Sequence, residues 1–265
     1  MAVINIDAIG LLGPGLDNWS GAQDIFRDES VYDCVATQIP PSTLLPSAER
    51  RRVGSAVKLA MAAASDALSH SAYQASDLLS VFSSSGGDGD NCHSICEALA
   101  SDDRLISPTK FTNSVHNAPS GYWGISCQAR PASTSLCAFD GSFSAGFLEA
   151  SALAISQKAP VLFVAYDTPY PEPLRTARPI EHSFGVALVL NPVMSDLSFA
   201  SLQFKLAVAS STLMQNQLLE LLRLNVPAAR GLPLLKALAS GPQERQLVLE
   251  LFTNQQLILD VKVLK

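Results

Sequence analysis

Two runs near the middle of this chain, Val161-Leu162-Phe163-Val164-Ala165 and Gly185-Val186-Ala187-Leu188-Val189-Leu190, contain no polar side chain. A strand that is apolar on both sides must be covered on both faces, which calls for a sheet with helices packed above and below it. The sequence around these runs supplies the helices. Over residues 47–70, Val53, Val57, Ala60, Met61, Ala64 and Leu68 recur at three- and four-residue spacing and form one apolar stripe. Ser47 and Glu49 suit the start of that helix. A short strand, Leu79–Ser84, leads through the loop Ser85–Asp90 into a second helix over 91–102. Pro119 suits the first turn of a third. Residues 143–156 read as a strong helix, with Phe143, Phe147, Ala150 and Ala154 on one face and Gly146 permitting close approach. The opening Met1–Asp7 reads as a first strand. Strands alternating with helices imply an α/β fold with a mainly parallel sheet.

After Pro192 the character changes. A polar, alternating stretch at 198–210 precedes a Leu-rich helix at 212–224, too apolar for an exposed face, whose default place is the core. A helix at 232–239 follows, then a hairpin of 246–252 and 256–264 turning at Thr253-Asn254. The link between the two all-apolar runs carries Pro169, Pro171, Pro173 and Pro179 and is expected to be irregular.

Composition limits the ligands. The 265 residues are 48% hydrophobic and 16% charged, enough for a sizeable core and a surplus that points to surface covered by a partner. A net charge of −6 argues against nucleic acid or an anionic membrane as the main ligand. No apolar run reaches the roughly 18 residues of a membrane span. The start lacks the basic residues of a signal peptide, and the five scattered cysteines read as reduced thiols, so a cytoplasmic location is expected. Cys92-His93-x-x-Cys96 has no second cluster to complete a zinc site and is expected to pack rather than bind metal. Ser84–Gly89 lacks the spacing of a phosphate loop. No cofactor is expected.

The segment Ser133–Ser142 reads as a buried strand entering a helix, the kind of elbow where many acyl-transfer enzymes place a reactive cysteine. Here the elbow carries Asp140. An acyl–aspartate is an anhydride and loses its acyl group to water, so a carboxylate cannot take over that chemistry. Cys137 lies upstream, inside the expected strand and buried. At a helix start, Asp140 is expected to cap free backbone N–H groups.

Arg50-Arg51-Arg52 before the Ala-rich helix, Ser83-Ser84-Ser85-Gly86-Gly87, Asn113-Ser114-Val115-His116-Asn117-Ala118-Pro119-Ser120-Gly121 and Ser133-Thr134-Ser135 together resemble the N-terminal half of β-ketoacyl synthases. The likeness is nearest to the short synthase-like proteins of aryl polyene biosynthesis. It implies a thiolase-like fold over 1–192, with 193–265 as a divergent extension packing on it in one compact unit and the synthase C-terminal half truncated. It also places Asp140, or Phe139 with a shift of one, where condensing enzymes hold their cysteine. The family's two C-terminal histidine motifs are absent; the histidines here are His70, His93, His116 and His182. Such inactive relatives are chain length factors, which pair with an active β-ketoacyl-ACP synthase and shape the acyl tunnel at the interface. The resemblance thus implies a heterodimer, with acyl carrier protein serving the partner. The interface and tunnel candidates are Phe111, Asn113, His116, Asn117, Tyr122, Trp123 and Phe139, with Trp123 first as the side chain that limits chain length. Arg50-Arg51-Arg52 reads as a solvated helix start, with carrier-protein contact as the alternative. The rival reading is an acyltransferase or hydrolase of the same fold using Cys137 or Ser142.

Overall fold

The structure is a computed structural model and describes residues 2–69 and 71–265. Met1 and His70, the outer bounds of the expected first strand and first long helix, lie outside the described residues. In chain order the elements are β1 (Val3–Leu12), α1 (Trp19–Arg27), α2 (Ser47–Arg50), α3 (Ser55–Ser69), β2 (Leu79–Ser83), α4 (Gly89–Ala100), α5 (Pro108–Thr112) and α6 (Ala118–Cys127). They continue with β3 (Ser133–Leu136), α7 (Ser142–Gln157), β4 (Val161–Asp167), α8 (Leu174–Ala177), β5 (Phe184–Asn191), β6 (Ala200–Ala207), α9 (Gln217–Asn225), α10 (Leu232–Ala239), β7 (Gln243–Phe252) and β8 (Gln255–Val263).

The eight strands form one mixed sheet in the order β3-β2-β4-β5-β1-β6-β8-β7. The two all-apolar runs sit side by side as β4 and β5, and β4 is buried at every position. The expected mainly parallel sheet is corrected: only β2 pairs in parallel, with β3 and β4. The other pairings are antiparallel. The reason lies in the connections. A parallel neighbour needs a crossover helix, and the proline-rich link from β4 to β5 holds only the four-residue α8, so the chain turns straight back.

Helices cover the sheet in two layers. On one face α3 and α6 pack on Ala8, Leu12, Phe82, Leu162, Val164 and Val189. The contact is close because α3 is rich in alanine and faces Gly10, where a Cβ would stand 2.2 Å from the Ala63 carbonyl oxygen. On the other face lie α1, α7, α9 and α10. Here the sheet curls around α7. The Phe147 ring is 6.4 Å from Phe163 of β4 and 6.3 Å from Phe204 of β6, centroid to centroid. Gly146 of α7 lies against Ser83 of β2 while Ser144, two residues away, meets β7, six positions across the sheet or about 29 Å if it were flat, so this face is concave. At the start of α7, Ser144 Oγ donates to the Glu250 carbonyl of β7 at 2.6 Å.

Three local expectations change. The helix expected over 47–70 breaks between α2 and α3, at Arg51–Gly54, where Gly54 is the poorest helix former in the run. The Leu-rich helix starts only at Gln217, because Asn216 Oδ1 caps it by accepting from Leu218 N (2.8 Å) and Leu219 N (3.2 Å). Leu219 and Leu222 are buried, but Leu218, Leu221 and Leu224 face outward. No residue of α4 is buried, so Cys92 and Cys96 are exposed rather than packed.

Candidate functional site

The elbow is built on an edge. β3 has a neighbour on one side only and is half-exposed, not the buried strand expected. It stops at Leu136, so Cys137 falls beyond it and is exposed, its Sγ 3.2 Å from the Ser85 carbonyl oxygen. A tight turn at Phe139–Gly141 then leads into α7. Phe139 has φ +52°, a left-handed conformation that costs a non-glycine residue about 1–2 kcal/mol. The turn is closed by Ser142, which is 1% exposed: its Oγ donates to the Phe139 carbonyl (2.7 Å) and accepts from Ala138 N (3.1 Å).

Asp140 does not cap α7, whose first turn has no side-chain cap. Its carboxylate turns instead to two arginines, Oδ1 to Arg178 at 2.7 Å and Oδ2 to Arg230 at 3.4 Å. The Arg178 guanidinium also lies 3.7 Å from the centre of the exposed Phe139 ring and donates to Ser85 Oγ at 3.1 Å. From Arg230 the charges continue to Glu250, then Arg223 (3.2 Å), then Glu220 (2.6 Å). Hydrogen bonds from Arg223 hold the Glu220 carboxyl below the usual range. Beneath the elbow, Asp167 accepts from Ser85 N (2.8 Å), Ala228 N (2.8 Å) and Ser84 Oγ (3.1 Å). It is completely enclosed, and burial pushes its carboxyl up to about 6. Asp167, Arg178, Arg230 and Glu250 were not found from sequence. Only Asp167 left a signal there, as an acid closing an all-apolar strand.

The Asn113–Trp123 segment forms a second group. Asn113 is buried, donating through Nδ2 to the Arg52 carbonyl (2.8 Å) and accepting from the Tyr122 hydroxyl (2.9 Å). His116 Nε2 lies 3.0 Å from the Ser84 carbonyl oxygen, so this segment and the elbow share the loop after β2. Asn117 is exposed ahead of α6, without a capping bond, and Phe111 is exposed on α5. Trp123, the expected gate, is 1% exposed and enclosed in the core under α3. Tyr122 instead lines an apolar groove of about 730 Å³ with Leu44, Leu45, Val115 and Ile125. A second pocket, of about 480 Å³, opens at the elbow between Phe139, Asp140, Arg230, Glu250 and Phe252.

A nucleophile needs a base within hydrogen-bond reach. Among the described residues, neither Cys137 nor Ser142 has a histidine or carboxylate as hydrogen-bond partner. No group of three or more His, Cys, Asp or Glu side chains comes together there to hold a metal.

The family model for the β-ketoacyl synthase N-terminal domain matches residues 19–248. No curated protein matches the chain. Among solved structures, a chain of the Xenorhabdus doucetiae complex of the ketosynthase ApeO with its chain length factor ApeC is 22% identical, with a TM-score of 0.75, covering 98% of this chain and 100% of that one. A chain of the ishigamide ketosynthase/chain length factor is 9% identical, with a TM-score of 0.77 and full coverage of both. A chain of the AntDE:AntF complex, a type II polyketide synthase acyl-carrier protein with its ketosynthase, is 10% identical, with a TM-score of 0.76 and 99% coverage of each. At these identities the likeness is one of fold.

Proposed function

We propose that this chain, which belongs to the β-ketoacyl synthase N-terminal domain family, is a non-catalytic subunit of the chain-length-factor kind. It pairs with an active β-ketoacyl-ACP synthase and lends the wall of an acyl tunnel at their interface, while acyl carrier protein delivers substrate to the partner. The observation that carries this reading is the elbow itself. At the position that the resemblance equates with a condensing enzyme's cysteine stands Asp140, or Phe139 with a shift of one, and the Asp140 carboxylate has each oxygen engaged by an arginine. A carboxylate there cannot hold an acyl group, and among the described residues neither Cys137 nor Ser142 has a histidine or carboxylate as hydrogen-bond partner to activate it.

Two further observations support the reading. Solved chains of this fold come from ketosynthase complexes with chain length factors. The groove beside Tyr122 is flanked by exposed Phe111, Val115 and Ile125, an apolar surface of the sort a partner covers. We place the pairing face there, on α5, α6 and the free edge of β3. Within this reading, residues 1–192 carry the synthase-like part and 193–265 extend it, β6 pairing directly with β1. Among the described residues, no helix is long and apolar enough to cross a membrane.

The test is co-expression with a ketosynthase that keeps its cysteine and both histidines. The expected result is a one-to-one complex on size exclusion, condensing activity in the complex and none in this chain alone. An acyl adduct on Cys137 or Ser142 of the isolated chain, seen by intact mass, would replace the reading with the acyltransferase one.

A further inference from the structure

The six charges at the elbow alternate and cancel: Arg178, Asp140, Arg230, Glu250, Arg223, Glu220. Two cations share Asp140, as two share Glu250. Without the Asp140 carboxylate the group carries +1, and Arg178 has no other carboxylate in ion-pair reach among the described residues. The Nε–H groups of both Arg178 and Arg230 are enclosed and have no hydrogen-bond partner. The 16-residue α7 begins two positions further on with an uncapped first turn, adding the positive end of a helix dipole. Solvent can reach the place: the Asp140 side chain is 45% exposed, and the pocket of about 480 Å³ opens on Asp140 and Arg230.

We propose that the elbow is a binding site for a small carboxylate which the chain fills with its own Asp140. The two guanidinium groups address the two oxygens separately, at 2.7 and 3.4 Å, an arrangement that suits a two-oxygen anion better than a halide. The backbone holds Asp140 in place, so free carboxylates do not displace it from the intact chain. A carboxylate-bearing acyl group is therefore kept out of this elbow by occupancy as well as by the missing thiol.

The proposal concerns this chain alone and does not depend on its pairing with a ketosynthase. The test is thermal unfolding of the full chain and of Asp140→Ala in sodium acetate and in sodium chloride at matched ionic strength. The variant should unfold lower than the parent in chloride and recover at least half of the lost midpoint in acetate, in a saturable way. The parent should show no difference between the salts. Adding Arg178→Gln to Asp140→Ala should abolish the recovery. Equal midpoints for Asp140→Ala in the two salts, or recovery that persists without Arg178, would overturn the proposal. If Asp140→Ala does not fold in chloride, the reading becomes its folded yield on refolding in acetate against chloride. Equal yields overturn the proposal as equal midpoints do.

Discussion

Asp167 closes β4 with three neutral donors around it and no cation in ion-pair distance among the described residues. Burial raises its carboxyl from 3.8 to about 6, so between those values the folded chain holds a proton that the unfolded chain has released. Its contribution to stability is therefore full below about pH 4 and is lost as pH rises through 6, by roughly 3 kcal/mol for a shift of this size. Denaturant titrations of the parent and Asp167→Asn at pH 4.5, 5.5 and 7 should show this component in the parent and its absence in the variant. An unchanged slope in the variant would remove Asp167 as its source. Trp123 is a second residue whose role follows from its surroundings. It is enclosed under α3, so Trp123→Ala should cost about 3–5 kcal/mol of stability. A product change in that variant would thus be read against loss of fold.

At the scale of elements, the last third of the chain is fastened to the rest by buried polar joints as well as by apolar packing. Asp7 of β1 accepts from the Tyr73 hydroxyl (2.6 Å), Ser198 Oγ (2.7 Å) and Asn191 Nδ2 (2.8 Å), drawing together the end of β5, the turn into β6 and the segment after α3. Glu29 receives Lys236 Nζ of α10 at 2.7 Å and Asn216 N, the cap of α9, at 2.6 Å. Removing a buried acceptor strands its donors, which costs more than the bonds themselves contributed. Asp7→Ala should lower stability by about 2–4 kcal/mol, measured by urea unfolding, whereas Asp24→Ala on the exposed side of α1 should stay within about 0.5 kcal/mol. Gly146→Ala should also destabilise, since its methyl would stand 2.5 Å from the Phe163 ring and 2.7 Å from Ser83 Cβ, forcing α7 off the sheet.

At the scale of the molecule, two groups of exposed large apolar side chains can be compared as pairing faces. One is the groove face, with Phe111, Val115 and Ile125; the other surrounds the outer hairpin, with Val208, Leu213 and Phe252. The groove face is carried by α6, which meets the edge strand β3 through Ser120 and Ser135, and unpaired backbone groups at such an edge invite a second chain. Ile125 and Val208 are 77% and 81% exposed, so neither contributes much to the fold by burial. Ile125→Asp should therefore abolish co-purification with a ketosynthase while leaving the unfolding midpoint of the isolated chain unchanged. Val208→Asp should change neither. The opposite pattern would move the pairing face to the hairpin side.

Local sequence settled much of this architecture. The two all-apolar runs became adjacent inner strands, the Phe143–Ala154 stripe became the buried face of α7, and the hairpin turned at Thr253-Asn254. Each depends on side-chain periodicity or on a turn a few residues long, which neighbours along the chain can specify. Strand direction did not follow from alternation, because it depends on whether the link after β4 crosses the sheet or doubles back. The elbow's chemistry lay further out of reach. Sequence placed Asp140 at the start of a helix and suggested a cap, but its partner Arg178 is 38 positions away, and Arg230 arrives from beyond β6. An ion pair is chosen by distance in space. The link after β4 brings Arg178, and the turn between α9 and α10 brings Arg230, to the carboxylate ahead of α7.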